Sequence, residues 1–220
     1  MKLRERFPGI FLKDREIYTE NLVKGFRYSN EKILRVKGVE YRQWNPFHSK
    51  LAAAIAKGFT KIPFPEKRNW KMLYLGAAHG YTVSYISDIL CNGFIFAVEF
   101  SDRCFKELLP VCEKRKNLAP IFADARKPEE YYWVEAVDAL YVDIAQPDAT
   151  EIAMRNADEF LKKGGVLFLA IKTRSIDVTE KPKKICEQEV EKLCDAGWKI
   201  LEWGMIDPFE KDHGFIVAKK

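Results

Sequence analysis

A chain of 220 residues, 47% of them hydrophobic and 31% charged, can build one full α/β core with a small appendage. Its net charge of +5 is compatible with RNA but far below that of a histone-like protein, and no apolar run is long enough to span a bilayer. The five cysteines (Cys91, Cys104, Cys112, Cys186, Cys194) lack CxxC spacing and the opening Met-Lys-Leu-Arg-Glu-Arg is no signal peptide, so a zinc site, a disulfide framework and secretion are excluded and a soluble, cytoplasmic protein is expected.

The first 45 residues carry short β-like runs at 9–12, 16–23 and 32–36, separated by turn signals at Lys13-Asp14 and Ser29-Asn30-Glu31. They predict a small antiparallel meander that packs on a larger domain and leaves a face for a partner. Residues 46–220 alternate β and α. Ser49 caps a helix through Leu51, Ala54, Ile55 and Gly58, which Pro63-Phe64-Pro65 ends. A strand at 72–75 leads to a helix with Val83, Ile86 and Leu90 inward. A strand at 94–99 leads to a helix capped by Ser101, with Phe105, Leu108, Leu109 and Cys112 on one face. Strands follow at 119–122, 137–142 and 166–171, the last after a Lys-Lys-Gly-Gly stop; Pro147 opens the helix between the last two. A helix over 180–195 precedes strands near 198–206 and 213–218. Sequential β-α units give a mostly parallel sheet, and the short final link forces the last two strands to be antiparallel.

The most informative stretch is 72–82. An apolar strand stops at Gly76, and a helix begins after Gly80, a turn that brings backbone N–H groups up to a ligand. The strand at 94–99 ends in Glu99, where nucleotide-binding sheets grip a ribose diol. Neither G-x-G-x-x-G nor a P-loop lysine is present. The ligand therefore carries adenosine without a pyrophosphate, a description that S-adenosylmethionine fits. For the two glycines alone, a β-turn-α unit that needs them only for packing is the better reading; Glu99 in its expected place reverses that.

Glu99, Asp124, Asp143 and Lys172 all fall at carboxyl ends of strands, and His213 starts the reversed strand at the same edge. Asp124 by itself could equally be a turn-former. Lys172 emerges from a buried strand, where desolvation can act on it; the alternative is a lysine snorkelling to solvent.

Six segments occur in one order along the chain: Trp-Asn-Pro-Phe-His-Ser-Lys-Leu-Ala-Ala-Ala (44–54), Tyr-Leu-Gly-Ala-Ala-His-Gly-Tyr-Thr (74–82), Ala-Val-Glu-Phe-Ser (97–101), Asp-Ile-Ala-Gln-Pro (143–147), Ile-Lys-Thr-Arg-Ser-Ile-Asp-Val-Thr (171–179) and Pro-Phe-Glu-Lys-Asp-His (208–213). Together they resemble fibrillarin in its short archaeal form, from about residue 10 to the C-terminus. The resemblance implies a class I S-adenosylmethionine-dependent methyltransferase fold, a Rossmann-like seven-stranded sheet with its last strand antiparallel, behind a small N-terminal β subdomain. It implies an RNA ribose 2′-O-methyltransferase acting on rRNA, with tRNA a further possibility, inside a box C/D particle. The implied partners are a guide RNA, a Nop-family scaffold and a kink-turn-binding protein; no metal or membrane is implied. The implied cofactor contacts are Gly76, Gly80, Tyr81, Thr82, Glu99, Phe100, Asp124, Ala125, Asp143, Ile144, Ala145 and Gln146, and the implied catalytic set is Lys50, Asp143, Lys172 and His213. Three positions depart from the usual pattern: Asn45 and His48 stand where acidic and basic residues are more common, and Tyr81 replaces a small hydroxyl residue.

On this reading Lys172 in neutral form, helped by desolvation and the neighbouring Lys50 ammonium, is the base for the 2′-hydroxyl, with Asp143 the alternative base. Asp143 orients Lys172 and the methyl donor, and His213 either completes the hydrogen-bond frame or only supports the fold. The competing readings are a non-catalytic scaffold subunit, a small-molecule methyltransferase and a nicotinamide-dependent reductase. The intact glycine turn and lysines oppose the first, the lack of a lid insertion the second, and the absent G-x-G-x-x-G the third.

Overall fold

The computed structural model describes residues 3–220 and contains two sheets; Met1 and Lys2, where the signal-peptide reading starts, lie outside the described residues. The small sheet is antiparallel: β1 (Arg4–Phe7), β2 (Ile10–Lys13), β3 (Glu16–Glu20), β4 (Ile33–Val36) and β5 (Val39–Trp44), in the order β1-β2-β3-β5-β4. Sequence periodicity finds β2, β3 and β4 but passes over β1 and β5. The reason for β5 is chemical: its inward positions are Glu40, Arg42 and Trp44, so strict alternation is present but two of its three buried positions are charged.

Those charges are paired. Arg42, fully buried, reaches Asp88 Oδ2 at 2.8 Å, and Arg115 reaches Asp88 Oδ1 at 2.7 Å. The Thr19 hydroxyl also donates to Asp88 at 2.8 Å, and the Arg42 guanidinium lies 4.0 Å from the Tyr85 ring centre. A buried carboxylate shared by two guanidiniums thus ties the small sheet to the helix that carries Asp88.

The large sheet holds β6 (Lys71–Leu75), β7 (Phe94–Glu99), β8 (Leu118–Phe122), β9 (Val137–Val142), β10 (Leu161–Lys172), β11 (Lys199–Met205) and β12 (His213–Lys219), in the order β11-β12-β10-β9-β6-β7-β8. β6 to β10 run parallel, and β12 is inserted antiparallel between β10 and β11. The helices are α1 (Lys50–Ala56), α2 (Tyr81–Ile89), α3 (Asp102–Glu113), α4 (Ala149–Phe160), α5 (Thr173–Ile176) and α6 (Pro182–Asp195). The central strands are apolar on both faces because helices cover both. Met72 and Tyr74 join one core cluster with α1, α2, Ile17 and Trp44, while Leu73 and Leu75 join the other with Ile152 of α4 and Leu193 of α6. Among the described residues no helix is long and apolar enough to cross a membrane.

Several local expectations change. α1 ends at Ala56, well before Pro63, because Gly58 takes a φ of +97° that a helix cannot use. The Lys-Lys-Gly-Gly segment does not precede β10 but lies within it: Leu161 pairs with Val137, and the register then shifts before Val166 meets Ala139. Pro147 stands before the cap residue Asp148, outside α4. On α3, Val111 turns inward with Leu108 and Cys112 while Leu109 is exposed.

Candidate active site

The carboxyl edge of the parallel strands is built by a close approach of two chain segments. Gly76, with φ +81°, leaves β6 so near the end of β9 that a Cβ there would lie 2.5 Å from the Asp143 carbonyl oxygen. The Gly76 and Ala77 amides both donate to the Val98 carbonyl, at 2.9 and 3.0 Å, which fixes the turn against β7. Gly80 has φ +90°, and a Cβ on it would press on Leu108 at 3.0 Å. Both glycines are therefore required by the backbone, and Gly76 in addition lets Asp143 occupy the centre of the edge.

Asp143 stands between two lysines. Its Oδ2 lies 3.2 Å from Lys50 Nζ and its Oδ1 lies 3.0 Å from Lys172 Nζ. Lys172 also donates to the Asp143 carbonyl at 3.3 Å. Lys50 is the first residue of α1, set by Ser49, whose hydroxyl accepts the Ala52 amide at 3.5 Å. Lys172 is the last residue of β10. Burial alone would raise the Asp143 pKa, but the two ammoniums outweigh it and hold the carboxyl below its ordinary value.

Two cavities meet at this triad. The larger, about 320 Å³, is lined by Gly76, Glu99, Phe100, Asp124, Ala125, Lys172 and the whole Asp143–Gln146 loop, joining most of the residues expected from sequence. The smaller, about 230 Å³, shares Gly76, Asp143 and Lys172 and adds Lys50, Tyr81 and Thr82. Gly80 and His213 line neither. His213 is the cross-strand partner of Lys172, and its Nδ1 donates to the Lys211 carbonyl at 2.6 Å, leaving Nε2 as the available acceptor.

The larger cavity offers the contacts a nucleoside needs. Glu99, buried at the end of β7, accepts the Ala78 amide on Oε2 and the Ser101 amide on Oε1, both at 2.8 Å. Each oxygen keeps a further lone pair, so the carboxylate is held rigid while able to bind a diol. Phe100 is 59% exposed and presents its ring to the cavity. The Ala125 amide donates to no protein acceptor among the described residues. Asp124 is the exception to the simple picture: Arg126 Nε contacts both of its oxygens, at 3.0 and 2.9 Å, and the Arg126 amide donates to Oδ1 at 2.9 Å. These hydrogen bonds hold the Asp124 carboxyl below its usual pKa. Arg126 lines the same cavity, and the sequence carried no signal for it beyond its nearness to Asp124.

Comparison with known proteins gives the same direction. The fibrillarin family model matches residues 1–220. The chain belongs to the fibrillarin family. It is 47% identical over 224 residues to the fibrillarin-like rRNA/tRNA 2′-O-methyltransferase of Methanocaldococcus jannaschii, covering 99% of this chain and 96% of that one. Aeropyrum pernix fibrillarin, solved with natively bound S-adenosyl-L-methionine, superposes with a TM-score of 0.88 at 43% identity, covering 99% and 98% of the two chains. A fibrillarin solved in complex with Nop5p gives a TM-score of 0.87 at 39% identity, covering 96% and 97%.

Asn45, His48 and Tyr81, expected from sequence to depart from the usual fibrillarin pattern, lie together in the structure. The Asn45 amide donates to the Tyr81 hydroxyl at 3.3 Å, and the His48 ring packs against the Tyr81 ring at a centroid distance of 5.7 Å. Tyr81 also packs edge-on against Tyr28, at 5.2 Å. Tyr81 thus lines the smaller cavity and links the start of α2 to the segment that delivers Lys50.

Proposed function

We propose that this fibrillarin-family protein is an S-adenosylmethionine-dependent ribose 2′-O-methyltransferase of rRNA and tRNA, and that it is the catalytic subunit of a box C/D guide ribonucleoprotein. The observation that carries the reading is the Lys50–Asp143–Lys172 triad at the junction of two cavities, one of them furnished for adenosine.

The donor set of the larger cavity fits S-adenosylmethionine. Glu99 would take the ribose diol, Phe100 the face of adenine, and the Ala125 amide a ring nitrogen. Asp124 keeps lone pairs for the adenine amino group beyond those used by Arg126. Asp143 to Gln146, with Tyr81 and Thr82, would hold the methionine end. When bound, S-adenosylmethionine supplies an electrophilic methyl group on a sulfonium, already an activated leaving group.

The protein's work is then alignment and handling of one proton. Lys172 Nζ, once it has given up its own proton to solvent, takes the proton of the 2′-hydroxyl; in its charged form it pairs with Asp143 at 3.0 Å. Asp143 holds that amine through Oδ1, while Lys50 on Oδ2 fixes the other half of the carboxylate. His213 supports the strand end on which Lys172 stands.

Glu99→Ala should weaken S-adenosylmethionine binding by about 1.5–3 kcal/mol, the loss expected for charge-assisted bonds to the diol. Glu99→Gln should also weaken it, because one of the two backbone N–H groups now meets an amide donor. Titration calorimetry on the isolated protein checks both, and unchanged affinity in the alanine variant removes Glu99 from the site.

The larger assembly is supported by the related fibrillarin solved in complex with Nop5p. This chain's net charge of +5 supports only salt-sensitive phosphate contacts. The isolated protein should therefore be nearly inactive on free RNA. Activity should appear once guide RNA, a kink-turn-binding protein and a Nop-family scaffold are added, with the small sheet β1–β5 as the proposed scaffold contact. Site-specific methylation by the protein alone, measured with the same target RNA, would overturn this part of the proposal.

A further inference from the structure

Cys104, the third residue of α3, is half-buried on the wall of the larger cavity. Its Sγ lies 3.4 Å from His79 Nε2, and the same nitrogen lies 3.9 Å from Glu107 Oε2. His79 comes from the glycine turn, where its carbonyl accepts the Tyr28 hydroxyl at 2.9 Å; the backbone is anchored while the ring reaches across to α3. The result is a nucleophile in contact with a base, with a carboxylate near the same ring nitrogen. The helix behind them runs Asp102–Glu113, with Cys104 in its first turn.

The other cysteines lack this setting. Cys112 and Cys186 are buried, and burial pushes each thiol up to about 12. Cys91 and Cys194 are reachable by solvent but have no histidine within hydrogen-bond reach among the described residues.

We propose that Cys104 is a thiol-modification site that closes the cofactor cavity: a low-mass disulfide exchanges with Cys104 and leaves a mixed-disulfide adduct on the cavity wall. The proposal rests on reading that cavity as the S-adenosylmethionine site. In the exchange, His79 Nε2 takes the Cys104 proton and the sulfur attacks one sulfur of the disulfide. A new S–S bond forms as the old one breaks, and His79 returns the proton to the leaving thiolate. The Cys104 sulfur is oxidised, the leaving sulfur is reduced, and no other oxidant is needed. The imidazolium formed on the way is flanked by the Glu107 carboxylate. Because exchange is reversible, a free thiol reopens the cavity.

The test treats the full-length protein with 2-hydroxyethyl disulfide, quenches with acid and maps adducts by peptide mass spectrometry. Cys104 should react at least about tenfold faster than Cys194, although Cys194 is the more exposed, because only Cys104 has an adjacent base. Saturating S-adenosylmethionine should protect Cys104 and leave Cys194 labelling unchanged, and His79→Gln should slow Cys104 alone. Calorimetry should show that the adducted protein no longer binds S-adenosylmethionine until a reductant is added, whereas Cys104→Ala protein binds equally before and after treatment. The proposal is overturned if Cys104 reacts no faster than Cys194, or if the adducted protein binds as the untreated one does. Failure of the untreated protein to bind S-adenosylmethionine overturns the cofactor reading instead, and the relative labelling rates distinguish that outcome from failure of the thiol site.

Discussion

Lys172→Met is expected to lower methyl transfer in the assembled particle by at least about 10²-fold, the loss typical of removing a positioned base. Methionine keeps most of the stem's volume, and Asp143 keeps Lys50 at 3.2 Å, so the buried carboxylate is not left unpaired. Folding and S-adenosylmethionine binding should both survive. Lys172→Arg restores a cation that can still pair with Asp143 but cannot release its proton at any workable pH, so it should remain inactive. Single-turnover rates of the three proteins decide between roles. Recovery by arginine would mean that Lys172 supplies only charge, and the proton would have to leave through Asp143 or water.

Asp88→Ala should produce the largest loss of stability among single substitutions at the contact between the small sheet and α2. Asp88 is the shared partner of Arg42 and Arg115, all three fully or almost fully buried. Removing it leaves Arg115 without a carboxylate and Arg42 with only Glu31, at 3.4 Å, at a cost of about 3–5 kcal/mol. That is a large fraction of the about 5–15 kcal/mol that separates a folded domain from its unfolded chain. Urea melts should show a markedly lower midpoint, and a loss under about 1 kcal/mol would mean that the network contributes little. Because α2 starts at the glycine turn, the variant should also bind S-adenosylmethionine more weakly.

The parallel sheet was legible because each β-α unit announces itself twice, by an apolar run and by the cap or glycine that ends it. Ser49, Ser101, Gly76 and Gly80 all stand where that reading puts them. The small sheet was less legible because β5 buries Glu40 and Arg42, residues whose burial depends on partners far away in sequence. The Lys-Lys-Gly-Gly segment misled for a related reason: glycines that end a helix in isolation here allow an irregular stretch within a strand.

At the site, strand ends placed Glu99, Asp124, Asp143 and Lys172 around one cavity, and the fibrillarin resemblance brought Lys50 to them. Periodicity holds no information on which side chain shares a partner with which. The Arg126 clamp on Asp124, the pairing of Tyr81 with Asn45 and His48, and the Cys104–His79 contact therefore required three dimensions.

The central claim is that the group methylated is the ribose 2′-hydroxyl of a guided nucleotide. It is tested most directly by reconstituting the particle with two target RNAs that differ only in a single 2′-deoxy substitution at that nucleotide, then locating methyl groups by mass spectrometry. The all-ribose target should gain one methyl at the guided position, and the deoxy target should gain none there. A methyl group on the deoxy target at that position would place the reaction on the base and contradict the account.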